Sequence, residues 1–285
     1  MLGCGRFGAF LASRLAADFE VVVADEADRA AEARRAGARW AALDDVARCR
    51  WVVAAVPIGR LRAALAELAA RMGPGQVLVD VCSVKELPAG WLREAAPPGV
   101  SVVATHPLFG PDSAARSLVG LPLVICPAVR AAACARSSGG SGDAVHDDAA
   151  AAGDHDAARR LAAYARSRGL RVLTLDASEH DRAMARTQAL TFFLSRVLSR
   201  LDLPQPEGPV GTRSYRNLRA ALESVARDTD ELYRDLVRFN PHARRFLEEV
   251  ARAMGAEADA LGLGDEARVA RDVVRSGAPR QRAAY

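Results

Sequence analysis

Three short runs of this 285-residue chain carry residue types suited to chemistry. The first is Gly3-Cys4-Gly5-Arg6-Phe7-Gly8, a G-x-G-x-x-G pattern. Glycines at that spacing turn a strand tightly into a helix, whose first backbone N–H groups, here from Gly5 through Arg6 and Phe7 to Gly8, cradle a pyrophosphate. The second run is Asp80-Val81-Cys82-Ser83-Val84-Lys85 and the third is Thr105-His106-Pro107-Leu108-Phe109-Gly110-Pro111. Each follows an apolar stretch that reads as a strand, and open parallel sheets bind ligands beyond the carboxyl ends of their strands. His106, held between a strand and a Pro/Gly turn, has an intrinsic pKa suited to taking a proton from an alcohol as hydride leaves. Ser83 is placed to hydrogen-bond that imidazole or the same hydroxyl. Turn and cap roles are the structural alternatives for both residues. Lys85 is either a solvated helix-start lysine or a neighbour of the cofactor.

Asp25 ends the apolar run Val21-Val22-Val23-Ala24. A carboxylate at the tip of the second strand accepts hydrogen bonds from the adenosine ribose and repels an added phosphate, so NAD is expected over NADP. Arg29, Arg34 and Arg35 lie close enough in sequence to soften that preference, and Asp25 is also placed to cap the next helix.

Elements that position these runs alternate along the chain. Apolar stretches at 20–25, 51–56, 76–81, 101–105, 121–125 and 171–174 read as strands. Helical patterns over 9–17, 27–36, 58–72, 85–96 and 156–167 fall between most of them. The expected fold is α/β, a Rossmann-type mostly parallel sheet with both faces covered, followed by an all-helical C-terminal domain. Residues 1–175 form the dinucleotide-binding domain and 176–285 the helical one, for substrate binding and dimerisation. A Ser/Gly-rich stretch marks 131–153 as a flexible insertion. Its His146, Asp147, Asp148 and the neighbouring Asp154, His155 and Asp156 have no anchoring element, so no metal site is expected. Ala189, Leu190, Phe192, Phe193, Leu194 and Val197 form an apolar stripe that fits a homodimer through this domain or, more simply, an intramolecular core. Only Met1 and Leu2 precede the glycine motif, where a buried strand belongs, and the expectation is that the polypeptide begins further upstream.

Bulk properties exclude several classes. The +4 net charge is dispersed and offers no nucleic-acid stripe. No apolar run is long enough to span a bilayer and no signal peptide opens the chain, so a cytoplasmic location is expected. The 5 cysteines form no C-x-x-C pair.

The Asp80–Lys85 and Thr105–Pro111 segments together resemble the prephenate and arogenate dehydrogenase family of tyrosine biosynthesis. Glu179-His180-Asp181, Thr187-Gln188-Ala189-Leu190, and Tyr215-Arg216 leading to Asp228 and Leu232-Tyr233 agree with it. The resemblance implies NAD(P)-dependent oxidation of a cyclohexadienyl substrate coupled to loss of the ring carboxylate. For prephenate the product is 4-hydroxyphenylpyruvate. It implies that His106 accepts the hydroxyl proton, Ser83 assists, and Gly3, Gly5, Gly8 and Asp25 hold the cofactor. Arg216 resembles an arginine that grips a substrate carboxylate, with Arg213 close enough to compete, and Gln188 joins the substrate-binding set. One departure stands out: Phe192 occupies a position where the family usually has histidine. Arogenate and 4-amino-4-deoxyprephenate are therefore alternative substrates. A β-hydroxyacid dehydrogenase-type reductase would use a lysine in the helical domain, and none follows Lys85. The rival from another class is a nucleotide-binding regulatory protein that has lost turnover.

Overall fold

The computed structural model describes residues 1–127, 143–204, 211–226 and 228–263, without the side chains of 143–150 and 226. It divides into two compact units, Met1–Ala243 and Arg244–Tyr285. Residues 264–285 and most of the Ser/Gly-rich stretch lie outside the described residues.

In the first unit, helix α1 (Arg6–Leu15) follows the glycine turn, then come β1 (Val22–Val23), α2 (Ala30–Arg35), β2 (Arg39–Trp40), α3 (Leu43–Ala47) and β3 (Trp51–Ala54). Next are α4 (Ile58–Ala69), β4 (Val77–Asp80), α5 (Glu86–Ala95), β5 (Ser101–Pro107), β6 (Pro122–Cys126), α6 (Asp143–Ser167) and β7 (Arg171–Thr174). Five strands run β3-β4-β5-β6-β7, parallel except for the β5–β6 pair, and β1 pairs with β2 in parallel. Met1 and Leu2 join the two groups. Leu2 bridges Ala24 on one side and Ala54 on the other, with Leu2 N–H donating to Val53 O at 2.8 Å and Ala55 N–H to Leu2 O at 2.7 Å. The neighbouring strands thus keep a hydrogen-bonded partner at the central position, which the sequence expectation had left empty.

Alternation along β4 shows how the sheet is covered. Leu78 packs with Leu61, Leu65, Leu68 and Leu92 of α4 and α5, whereas Val77 and Val79 face Ala157, Ala162 and Ala165 of α6. Complete burial of a leucine contributes about 1.5–3 kcal/mol, so the α4 stripe is a main source of cohesion. Helix α6 corrects the expected insertion. Residues 143–153 are helical rather than a loose loop, and the helix begins well before position 156. Ala149 to Ala152 have the highest helix propensity. Asp154 then docks the helix, its carboxylate accepting from Val102 N–H at 2.7 Å and from Arg93 at 2.6 Å.

The described elements from Ala177 onward are helical. Helix α7 (Ala177–Met184) continues through a π-helical turn (Ala185–Ala189) into α8 (Leu190–Leu198), followed by α9 (Arg213–Ala226) and α10 (Asp230–Phe239). Asp176 caps α7, accepting from Ser178 N–H and Glu179 N–H at 2.9 and 3.2 Å. Asp235 of α10 accepts from Gly59 N–H at 3.0 Å and so pins α10 to the start of α4. The second unit contains α11 (Ala243–Ala260), apart from its first residue.

Candidate active site

The sequence-predicted catalytic and cofactor residues cluster at or just beyond the carboxyl ends of parallel strands. The glycine turn follows Leu2, Asp25 follows the strand position of Ala24, Ser83 follows β4, and His106 ends β5. Because those strands run in one direction, the turns share one edge of the sheet.

The glycine turn is built for close backbone approach. Gly3 adopts φ +97°, and a Cβ there would lie 2.3 Å from Ala55 O. At Gly8 a Cβ would lie 2.3 Å from Gly3 O, which explains the tight seat of α1 against the turn. Gly5 is different: nothing of the protein lies within 4 Å of a Cβ built on it. Its glycine leaves space above an α1 N-terminus that has no side-chain cap. Asp25 accepts from Cys4 N–H at 2.6 Å through one oxygen and from Ala27 N–H at 3.0 Å through the other. Each carboxylate oxygen has a further lone pair for a ribose hydroxyl. Capping and ribose roles are therefore compatible. An uncapped helix start, an open glycine and a strand-tip carboxylate fit a dinucleotide.

Arg6 and Phe7 point the cofactor turn toward the segment after His106. Arg6 pairs with Asp112 at 2.5 Å and lies 3.8 Å from Asp228. Phe7 contacts Phe10, and Phe10 meets Phe109 edge-on at 6.5 Å between ring centres.

Beneath Ser83 and His106 lies a buried polar lock. Lys85, the only lysine in the sequence, is completely buried and donates to Asp80 and to Thr105 O, each at 2.5 Å. Asp80 also accepts from Cys82 N–H at 2.9 Å and Thr105 N–H at 3.1 Å. Both carboxylate oxygens of Asp80 accept hydrogen bonds, which makes a buried ion pair tolerable. The lock fixes the Ser83 turn against β5. Lys85 is thus not solvated, and its ammonium is committed to Asp80 and Thr105 O.

His106 is 3% exposed, and its Nδ1 lies 2.9 Å from Nε2 of His180. Burial, first, lowers its pKa well below the ordinary 6.5, and a proton on neighbouring His180 or the Lys85 ammonium acts against a charge on His106 in the same direction. The imidazole is neutral and available as a base. His180 Nδ1 is 2.7 Å from Asp181, which also accepts from Lys85 N–H and Glu86 N–H at 2.7 and 2.9 Å. Asn240 donates to Asp181 O at 2.8 Å. The sequence placed His180 in the Glu179-His180-Asp181 segment without assigning it a partner. Its signal was the Glu179-His180-Asp181 segment, but only folding brings position 180 to 106.

Gln188 sits in the π-helical turn, and its Oε1 is buried without a protein partner. Interruptions of this kind often mark functional positions. Phe192 is buried and stacks on Tyr233, with ring planes 5° apart and centres 6.2 Å apart, so the departure from histidine fills core space. Arg213 and Arg216 open α9 and are exposed. Arg216 donates to Gly211 O at 2.5 Å, and among the described residues neither arginine shares a hydrogen bond with His106, Ser83 or Gln188. Nor is any group of three or more His, Cys, Asp or Glu among the described residues placed to hold a metal ion.

Known proteins resemble this chain in sequence and in fold. Residues 14–134 match the nucleotide-binding domain of prephenate dehydrogenase. Arogenate dehydrogenase 2, chloroplastic, of Arabidopsis thaliana is 28% identical over 180 residues, covering 63% of this chain and 45% of its own length. The 4-amino-4-deoxyprephenate dehydrogenase of Streptomyces pristinaespiralis is 30% identical over 223 residues, covering 75% of this chain and 65% of its own. The chain thus spans less than half the length of the plant relative. Prephenate dehydrogenase from Aquifex aeolicus, solved with hydroxyphenyl propionate and NAD+, superposes with a TM-score of 0.63 at 14% identity. That match covers 96% of each chain, and at this identity the likeness is one of fold. The glycine turn, the strand-end serine and histidine, and these matches together place the chain in the prephenate/arogenate dehydrogenase family.

Proposed function

We propose that this protein is an NAD-dependent dehydrogenase that oxidises and decarboxylates arogenate. The observation that carries the chemistry is a buried, neutral His106 at the end of β5, beside the Ser83 turn and on the same sheet edge as the nucleotide cradle. Prephenate, the expectation from sequence, is less well supported: relatives reported above are named for arogenate and for an amino-substituted analogue. The Streptomyces relative favours 4-amino-4-deoxyprephenate as the second reading. Gln188 is the proposed acceptor for a substrate donor group, because its Oε1 is buried without a protein partner.

When bound, NAD accepts the hydride from the ring carbon that bears the hydroxyl. His106 Nε2 takes the proton from that hydroxyl as the carbon–oxygen double bond forms. The bond from ring to carboxylate then breaks, carbon dioxide leaves, and its electron pair completes the aromatic ring. The proton held at His106 returns to the ring oxygen, so no net proton is released. A base with a lowered pKa suits this exchange, since it does not retain the proton. Ser83 hydrogen-bonds the same hydroxyl and restricts its rotation. Arg216, with Arg213 beside it, is the proposed partner of a substrate carboxylate through paired hydrogen bonds. A homodimer through the helical region and a cytoplasmic location complete the proposal; among the described residues no helix is long and apolar enough to cross a membrane.

The test is kcat/KM for arogenate, 4-amino-4-deoxyprephenate and prephenate, each with NAD and NADP. Arogenate with NAD should rank first. Asp25→Asn keeps an acceptor for Cys4 N–H but removes charge, and should narrow the NAD preference about tenfold, or ~1.4 kcal/mol. A leading value for prephenate would overturn the substrate, and a wild-type preference for NADP would overturn the Asp25 role.

A further inference from the structure

The relay behind His106 determines which of its nitrogens carries a proton. We infer that His180 and Asp181 are positioning residues that hold His106 in the Nδ1–H tautomer and leave its Nε2 lone pair bare for the substrate hydroxyl. The inference rests on His106 being the base in the function proposed above, but the tautomer itself is a property of the resting protein.

The argument starts at Asp181, which is completely buried. One of its oxygens accepts from the backbone N–H of Lys85, and the other from that of Glu86. These groups open α5, where the helix dipole favours a negative charge. An ionised carboxylate is only an acceptor, so His180 Nδ1, 2.7 Å away, must carry the hydrogen. In a neutral imidazole the other nitrogen is then an acceptor. His180 Nε2 lies 2.9 Å from His106 Nδ1, so the proton between them belongs to His106 Nδ1. The remaining nitrogen of His106 is left unprotonated.

The opposite assignment has the opposite consequence. A protonated Asp181 would donate to His180, His180 would donate to His106 Nδ1, and His106 would present an N–H where a base is needed. Two backbone donors on the Asp181 carboxylate oppose that state. Lys85 does not intrude, because its ammonium is committed to Asp80 and Thr105 O. Both histidines are buried, so water does not compete for the shared hydrogen bond.

The experiment is nitrogen-15 NMR of histidine-labelled protein, with the 5 imidazoles assigned by comparison with His106→Asn. The expected His106 signals are those of the Nδ1–H tautomer at neutral pH. His180→Leu removes the acceptor and should shift His106 toward the Nε2–H form. It should also lower kcat by ~100-fold or more, as tautomer errors do in other histidine bases. NAD affinity should stay within about twofold, since the nucleotide cradle is untouched. His180→Gln restores an acceptor oxygen and should recover about tenfold or more of the loss, as a ligand-orienting partner does. The inference is overturned by an Nε2–H tautomer at His106 in the wild type. It is equally overturned if His180→Leu changes neither tautomer nor kcat, or if His180→Gln is no better than His180→Leu. An Nδ1–H signal without turnover on any of the three substrates would sink the proposed function and leave the positioning role standing.

Discussion

Gly3, Gly5 and Gly8 belong to one motif yet answer to different physical demands. At Gly3 the backbone conformation and the contact with Ala55 O forbid a side chain, and at Gly8 the contact with Gly3 O does so. At Gly5 the protein itself imposes no such limit. Gly3→Ala should therefore destabilise the fold, by about 2 kcal/mol or more, because backbone must move and strain is added. Gly5→Ala should leave stability within ~1 kcal/mol, yet weaken NAD binding about tenfold or more by occupying the space over the helix start. Chemical denaturation and cofactor titration of the two variants separate these effects; loss of stability without loss of affinity in Gly5→Ala would refute the assignment. Local spacing made these glycines, Asp25, Ser83 and His106 legible in the sequence, since each falls within a few residues of an apolar run. His180 was not legible, because its partner is 74 positions away in sequence. The burial of Lys85 was not legible for a related reason. A lone lysine in an arginine-rich chain resembles a surface residue until β4 and β5 close around it.

Among the elements, the strands and the helices from α4 to α5 follow directly from apolar periodicity. Strand β2 did not stand out, because two residues, Arg39 and Trp40, carry too little pattern to register. The first part of α6 was missed because Asp, His and Ala give a helix no apolar stripe. Its stability comes instead from propensity and from Asp154, which reaches across to Val102 and Arg93. Asp154→Ala should lower unfolding free energy by about 2–3 kcal/mol, since it strands a buried N–H and breaks a largely buried pair. Urea denaturation measures the change, and NAD affinity should be unaffected. A change below about 0.5 kcal/mol would show that α6 is held by its alanine face alone.

On the scale of the whole molecule, the first unit brings the glycine turn, the buried His106 and the Lys85–Asp80 lock to one sheet edge, without any metal ligand cluster among the described residues. The central claim is that this edge performs oxidative decarboxylation with His106 as the base. The most direct measurement follows NADH at 340 nm and carbon dioxide together, with arogenate and NAD, for the wild type and His106→Asn. The account predicts equal amounts of both products from the wild type. It predicts a fall in kcat of ~100-fold or more in the variant, the usual contribution of a general base, with NAD affinity retained. Turnover in His106→Asn equal to the wild type, or NADH formed without carbon dioxide, would contradict it.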